Sequence, residues 1–281
     1  GKPPDESTSA GRLRALATDL YHDPMRRADY LDRALRHLMS GGAEAIPLPS
    51  DDLQSDPFAQ ALVSLMLIWR GDVATAAGTA AQALATAADA DARALSRAIA
   101  GLAGAWWPAA LGDPALRDPR TGGDPITAAF ADTEPISEPI AFPLGALLAE
   151  SALGSARLDV AAEFLERAGQ PPDTLFGAAH PFLTFTRALA ARIAVFQGDI
   201  VRAEAVSDAA VDGATSPTEY LFALACSALT QGSADRRRQA RKLVEQVSAA
   251  PDPSDAVTRG YFVLAAYGAR ALGDVDRQVR L

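Results

Sequence analysis

FLTFTRALAARIAVFQGDIVRAEA, residues 182–205, decides the fold. Phe182, Phe185, Leu189, Ile193 and Phe196 follow one another in steps of three and four, the spacing that lines up one apolar face of an α-helix. Gly198 ends that helix, because glycine alone enters the left-handed region without a steric penalty. Asp199 is then placed to cap a second helix, from Ile200 to Ala210, whose small residues such as Ala203 and Ala205 allow close approach. The stretch reads as one helical hairpin.

Outward from this hairpin the same mark recurs. A glycine followed by a turn residue closes an apolar helix at Gly71, Gly112, Gly154, Gly198, Gly232 and Gly273, at intervals of 41, 42, 44, 34 and 41 residues. The helices before the marks carry a matching face, as in Leu62, Leu65, Met66 and Trp69, or Tyr261, Leu264, Ala265, Gly268 and Leu272. The segments after them, such as Val73–Ala77 and Leu158–Ala168, are rich in small residues. Near the start, Leu13, Leu16, Ala17, Leu20 and Tyr21 make a helix, and Asp23-Pro24 opens a second that runs to Ser40-Gly41-Gly42. The expectation is an all-α chain: a tetratricopeptide-like solenoid of antiparallel helix pairs with repeats of about 40 residues. It forms a single helical-repeat domain over 11–281, preceded at 1–10 by a disordered arm or an expression scar.

Two stretches depart from the pattern, 43–56 and the Pro/Gly/Asp-rich 108–143. Within the latter, Asp124-Pro125 reads as a cap and first turn before a short helix to Ala131. This segment is either a degenerate repeat with a solvated insertion or a functional lid. At the other end, a helix opening at Asp274 reaches only Leu281, so half a repeat is expected there and the chain reads as part of a longer protein.

Composition narrows the function. Of the 281 residues, 49% are hydrophobic and 6% aromatic, so Ala and Leu supply the apolar surface. The net charge of −9 opposes a nucleic-acid interface in this segment. The lone Cys226 reads as a small buried hydrophobe in a reducing compartment. No apolar run is long enough for a membrane span and no signal peptide opens the chain, which points to the cytoplasm.

The motifs of phosphate loops, dinucleotide folds, zinc proteases and calcium loops are all missing, so no cofactor, no metal and no enzymatic activity are expected. His22, His37 and His180 sit near helix ends, where a bond to an exposed carbonyl is the expected role. Asp51, Asp52, Asp132, Glu134 and Glu138 lie in loops without evident partners and are expected to face water. The basic run Asp235, Arg236, Arg237, Arg238, Arg241 and Lys242 opens a second helix, either as a solvated face or as a docking surface for an acidic partner. Adjacent indoles cannot share one helix face, so one of Trp106 and Trp107 is expected to face a groove or the loop beyond. With Phe182, Phe185, Tyr220 and Tyr261 they are the candidate ligand-binding residues, each also readable as core.

The marks Phe196-Gln197-Gly198-Asp199 and Ala271-Leu272-Gly273-Asp274 resemble the tetratricopeptide-like sensor region of large LuxR-type bacterial transcription regulators related to the maltose-regulon activator. The likeness covers most of residues 57–281. It implies a cytoplasmic regulatory region that binds a small-molecule effector or a protein partner and controls a C-terminal helix-turn-helix, the only part that would touch DNA. The other reading is a scaffold that docks a partner protein or peptide in its concave groove. Self-association as a homodimer through the unfinished last helix is a further expectation.

Overall fold

The computed structural model describes residues 24–39, 56–106, 114–169, 180–249, 256–271 and 273. Among them are twelve α-helices: α1 Pro24–Met39, α2 Pro57–Arg70, α3 Val73–Thr86, α4 Ala90–Trp106, α5 Pro125–Ala131, α6 Glu138–Gly154, α7 Leu158–Ala168, α8 Phe182–Gln197, α9 Ile200–Gly213, α10 Pro217–Ser233, α11 Arg237–Ser248 and α12 Ala256–Ala271. A 3-10 turn, Pro114–Leu116, precedes α5. The protein is all-α, with helices packed in sequential pairs: α2 on α3, α6 on α7, α8 on α9 and α10 on α11.

The helices fall in two compact units, one holding α1 as far as Leu38 through α7, the other α8 to α12. In the first unit α4 packs against α2, α3, α5 and α6. Helix α6 is apolar on nearly every side, and its residues from Phe142 to Leu153 are all buried. A helix of that composition belongs inside a core. Pro143 lies within α6, so the irregular segment expected over 108–143 ends earlier, at the Ser137 N-cap. In the second unit Cys226 is buried with Ala188 and Ala191, and its thiol donates to the Ala188 carbonyl at 3.1 Å. Its reading as a small core residue holds.

The bends between paired helices share one backbone solution. At Gly71 and Gly198, φ is 84° and 80°. At the bend between α6 and α7 the left-handed residue is Ala156, φ 58°, and between α10 and α11 it is Asp235, φ 54°. In all four, the left-handed residue donates to the carbonyl three positions back (Gly71 to Ile68, Ala156 to Leu153, Gly198 to Val195, Asp235 to Gly232). The residue after it donates five back: Asp72 to Leu67, Arg157 to Ala152, Asp199 to Ala194, Arg236 to Gln231. This is the Schellman closure, which satisfies carbonyls that a helix end leaves open.

The sequence expectation therefore needs correction at two marks. Gly154 is the last residue of α6 and Gly232 lies inside α10; each bend follows two or three residues later. Gly112 lies outside the described residues, as do the helix expected over 13–21, the segment 43–55, His22 and the helix expected from Asp274.

The apolar face of α2 is buried as expected at Leu62, Leu65, Met66 and Trp69. In α8, Phe182, Phe185, Leu189 and Ile193 are buried, but Phe196 is 51% exposed. It stands in the last turn, two residues before the bend.

Candidate functional site

Helix α4 breaks the rule that a core helix face is apolar. Asp91, Arg93, Ser96 and Arg97 are all buried, and Arg93 is 1% exposed. A charge taken out of water needs a partner and hydrogen bonds. The segment 117–137 supplies them.

Arg97 donates through Nε to Asp118 at 2.7 Å and through Nη1 to Asp132 at 2.5 Å. Arg93, one turn earlier, donates through Nε to the same Asp132 oxygen at 3.3 Å, and through its two terminal nitrogens to Glu134 and the Ala88 carbonyl. Asp91 accepts the Ser137 N–H at 2.8 Å and the Ser137 hydroxyl at 2.7 Å. Three residues of one helix thus hold the whole strap between Asp118 and the start of α6.

The strap is also organised from within. Asp118 accepts the Arg120 and Thr121 N–H groups at 2.9 and 3.0 Å and exchanges backbone bonds with Gly122 and Gly123. Asp124 caps α5 by accepting from the Thr127 N–H at 2.8 Å, as its sequence predicts, and also takes Arg157 Nη1 at 2.7 Å.

The electrostatics follow from these contacts. Burial by itself would raise the Asp118 carboxyl, but the Arg97 guanidinium and the Thr121 and Arg120 N–H groups outweigh it and hold the group below its ordinary value. Asp132 is lowered in the same way, with the Glu134 N–H, Arg97 and Arg93 overcoming burial. Arg93 is raised, since Glu134 and Asp132 outweigh the desolvation of its charge.

Beside this network lies a cleft of about 280 Å³ within the first unit. One face of α4 contributes Ala90, Ala94 and Arg97. The end of α5 and the strap contribute Ala129, Asp132, Glu134 and Ile136; α6 contributes Ala141, Gly145 and Leu148; α7 contributes Phe164, Arg167 and Ala168. The space comes from small side chains. Gly145 is required where α6 meets α7, since a Cβ there would stand 2.5 Å from the Ala168 Cβ. Arg167 lies over the Phe130 ring, 4.6 Å from its centroid, and pairs with Glu163 at 2.5 Å.

Of the aromatic residues singled out from sequence, the described ones, Phe182, Phe185 and Tyr220, do not line this cleft. Phe182 and Phe185 are buried in the second unit, their rings stacked at 5.1 Å, and Phe185 meets Phe222 edge-on at 6.1 Å. Tyr220, on α10, is 42% exposed. Trp106 is the last residue of α4 and Tyr261 lies in α12, but their side chains, and Trp107 entirely, are outside the described residues.

One expectation is corrected. Asp132 and Glu134 do not face water without partners: both are drawn to Arg93, and Asp132 also to Arg97. His180 stands at the start of α8, where its Nδ1 accepts the Phe182 N–H at 3.0 Å. Glu138 is the first residue of α6, and Asp51 and Asp52 lie outside the described residues. The signal that was open to reading is the pair Arg93 and Arg97, one turn apart among Ala, Leu and Ile.

The basic run opens α11, with Arg237, Arg238, Arg241 and Lys242 exposed. Arg236 pairs with Glu204 at 2.8 Å and Arg237 with Asp235 at 2.9 Å, the solvated, ion-paired alternative for these two. Among the described residues no group of three or more His, Cys, Asp or Glu is arranged to hold a metal ion, and no helix is long and apolar enough to cross a membrane. Comparison of the chain with protein-family models, with curated proteins and with solved structures finds no match.

Proposed function

We propose that this chain is the effector-binding region of a cytoplasmic LuxR-type transcription regulator, without catalytic activity of its own, and that a small molecule occupies the cleft between α4, α6, α7 and the strap. The cleft is the observation that carries the reading. Its walls combine apolar residues with a few charged groups, the usual make-up of a small-molecule site, and its volume of about 280 Å³ falls just below the range of roughly 300–1,000 Å³ for such sites. The proposed location moves away from Trp106 and Trp107, which first suggested a pocket.

The tetratricopeptide-like architecture is part of the proposal. The left-handed positions Ala156, Asp235 and the glycines Gly198 and Gly273 follow one another at 42, 37 and 38 residues. That spacing supports a repeat of about 40, with α4 and the strap standing where a further regular pair would fall. In this reading the strap is the degenerate half of a repeat that has taken on a wall of the binding site.

The test is the melting temperature of the protein against a library of small metabolites, because a ligand that binds only the folded state raises it. A saturable rise that Ala141→Phe abolishes by filling the cleft is expected. A library-wide absence of shifts would sink the small-molecule reading and favour a scaffold that docks a peptide.

A further inference from the structure

We infer that the cleft takes a small zwitterion with an apolar body, the chemistry of an α-amino acid with an aliphatic or aromatic side chain. The inference rests on the cleft being a small-molecule site and assigns the class of molecule.

It comes from asking which charged groups at the cleft still have hydrogen-bonding capacity. Asp132 has little to offer: Oδ1 accepts the Glu134 N–H at 3.0 Å, and Oδ2 accepts both arginines of α4. Arg167, across the cleft on α7, spends Nη1 on the Phe130 carbonyl and Nη2 on Glu163, and its side chain is half in water, which leaves only a solvated Nε. Two groups remain beside the strap. Arg97 uses Nε and Nη1, so Nη2 has no hydrogen bond among the described residues. Glu134 is held by Arg93 through Oε2, its Oε1 accepts no hydrogen bond among the described residues, and its side chain is 58% exposed. Both residues line the cleft.

One open donor is cationic and one open acceptor is anionic. A simple anion drawn to Arg97 would meet the negative charge of Glu134, and a simple cation drawn to Glu134 would meet Arg97. A molecule with a carboxylate for Arg97 and an ammonium for Glu134 satisfies both, each through a charge-assisted hydrogen bond. The rest of the lining, Ala94, Ala141, Leu148 and Phe164, is apolar and matches a hydrocarbon side chain. The size agrees, because 280 Å³ has no room for a dinucleotide or a long chain.

The experiment is calorimetric titration of the whole chain with L-leucine and L-phenylalanine. In parallel run 4-methylpentanoate and 3-phenylpropanoate, which lack the ammonium, and isoamylamine and phenethylamine, which lack the carboxylate. At least one amino acid is expected to saturate, with each single-ended analogue at least tenfold weaker. Glu134→Gln, a change at a side chain that is 58% exposed, is expected to weaken the amino acid at least tenfold and to strengthen the carboxylate analogue, which then no longer meets a negative charge.

The class is overturned if a single-ended analogue binds as tightly as its parent, if Glu134→Gln has no effect, or if neither amino acid binds. An uncharged library compound that raises the melting temperature and loses its effect in Ala141→Phe would overturn the zwitterion while leaving the cleft a small-molecule site. No shift from any compound would remove both readings.

Discussion

Arg97 and Asp118 form an ion pair at 2.7 Å in which both side chains are almost wholly out of water, at 4% and 1% exposure. The pair joins α4 to a segment 21 residues further on, so it is tertiary and not part of any helix's own bonding. A pair this deeply buried is costly to form and far costlier to break on one side, because the survivor is left as an uncompensated charge.

Asp118→Ala is therefore expected to destabilise the protein by about 3 kcal/mol, since it leaves the buried Arg97 Nε without an acceptor, with Asp132 as the only remaining carboxylate, and also releases the Arg120 and Thr121 N–H groups. Glu134→Ala removes a partner of a buried arginine too, but Arg93 keeps Asp132 and Glu134 is mostly in water. Its cost is expected to stay within about 1 kcal/mol. Urea denaturation midpoints of the two variants decide it, and equal losses would contradict the assignment.

The same acids set an acid limit. Asp118 and Asp132 have folded values below their ordinary one, so the stability they contribute is complete above the unfolded aspartate value of about 3.9 and is lost as pH falls through the lower folded values. A denaturation midpoint followed from pH 6 to pH 2 should drop most steeply below about pH 4. Asp118→Asn should show a shallower decline over that window. The alkaline side has a counterpart in Tyr30, whose phenol burial pushes up to about 12. It favours the fold below its unfolded value of about 10, and that contribution fades as pH climbs from there.

Left-handed backbone at a residue with a Cβ costs on the order of 1 kcal/mol. Ala156→Gly is accordingly expected to stabilise the protein by roughly 0.5–1 kcal/mol, and Gly198→Ala to destabilise it by a similar amount. Asp235→Gly should gain less, since aspartate visits this region more readily. Thermal melts of the three variants order the effects, and a loss of stability in Ala156→Gly would rule out the shared bend geometry.

Most of the helices were legible because their cause is local. Asp124-Pro125 before Ile126, and Gly198-Asp199 before Ile200, are cap and stop signals that act within a turn, and the helices begin where those signals say. The bends at Ala156 and Asp235 escaped because neither residue favours the conformation it adopts; the pairing of the flanking helices imposes it. The cleft was hidden for a different reason. Its lining comes from positions 40 and 70 residues apart, and the acids that look solvated in sequence are recruited by arginines one turn apart on a distant helix. Aromatic residues drew attention as ligand contacts, yet Phe182 and Phe185 serve the core of the second unit.

The arrangement of Arg93 and Arg97 separates two kinds of change in the first unit. The ionic frame that fixes the strap forms one side of the cleft through Arg97, Asp132 and Glu134, while much of the rest of the lining is alanine and glycine. Enlarging or reshaping an alanine alters which guest fits without disturbing the frame, so specificity can drift by single methyl groups while the scaffold stays put. A lineage carrying this layout could diversify its guests by substitutions at Ala90, Ala94, Ala129 and Ala141, keeping the same two arginines throughout.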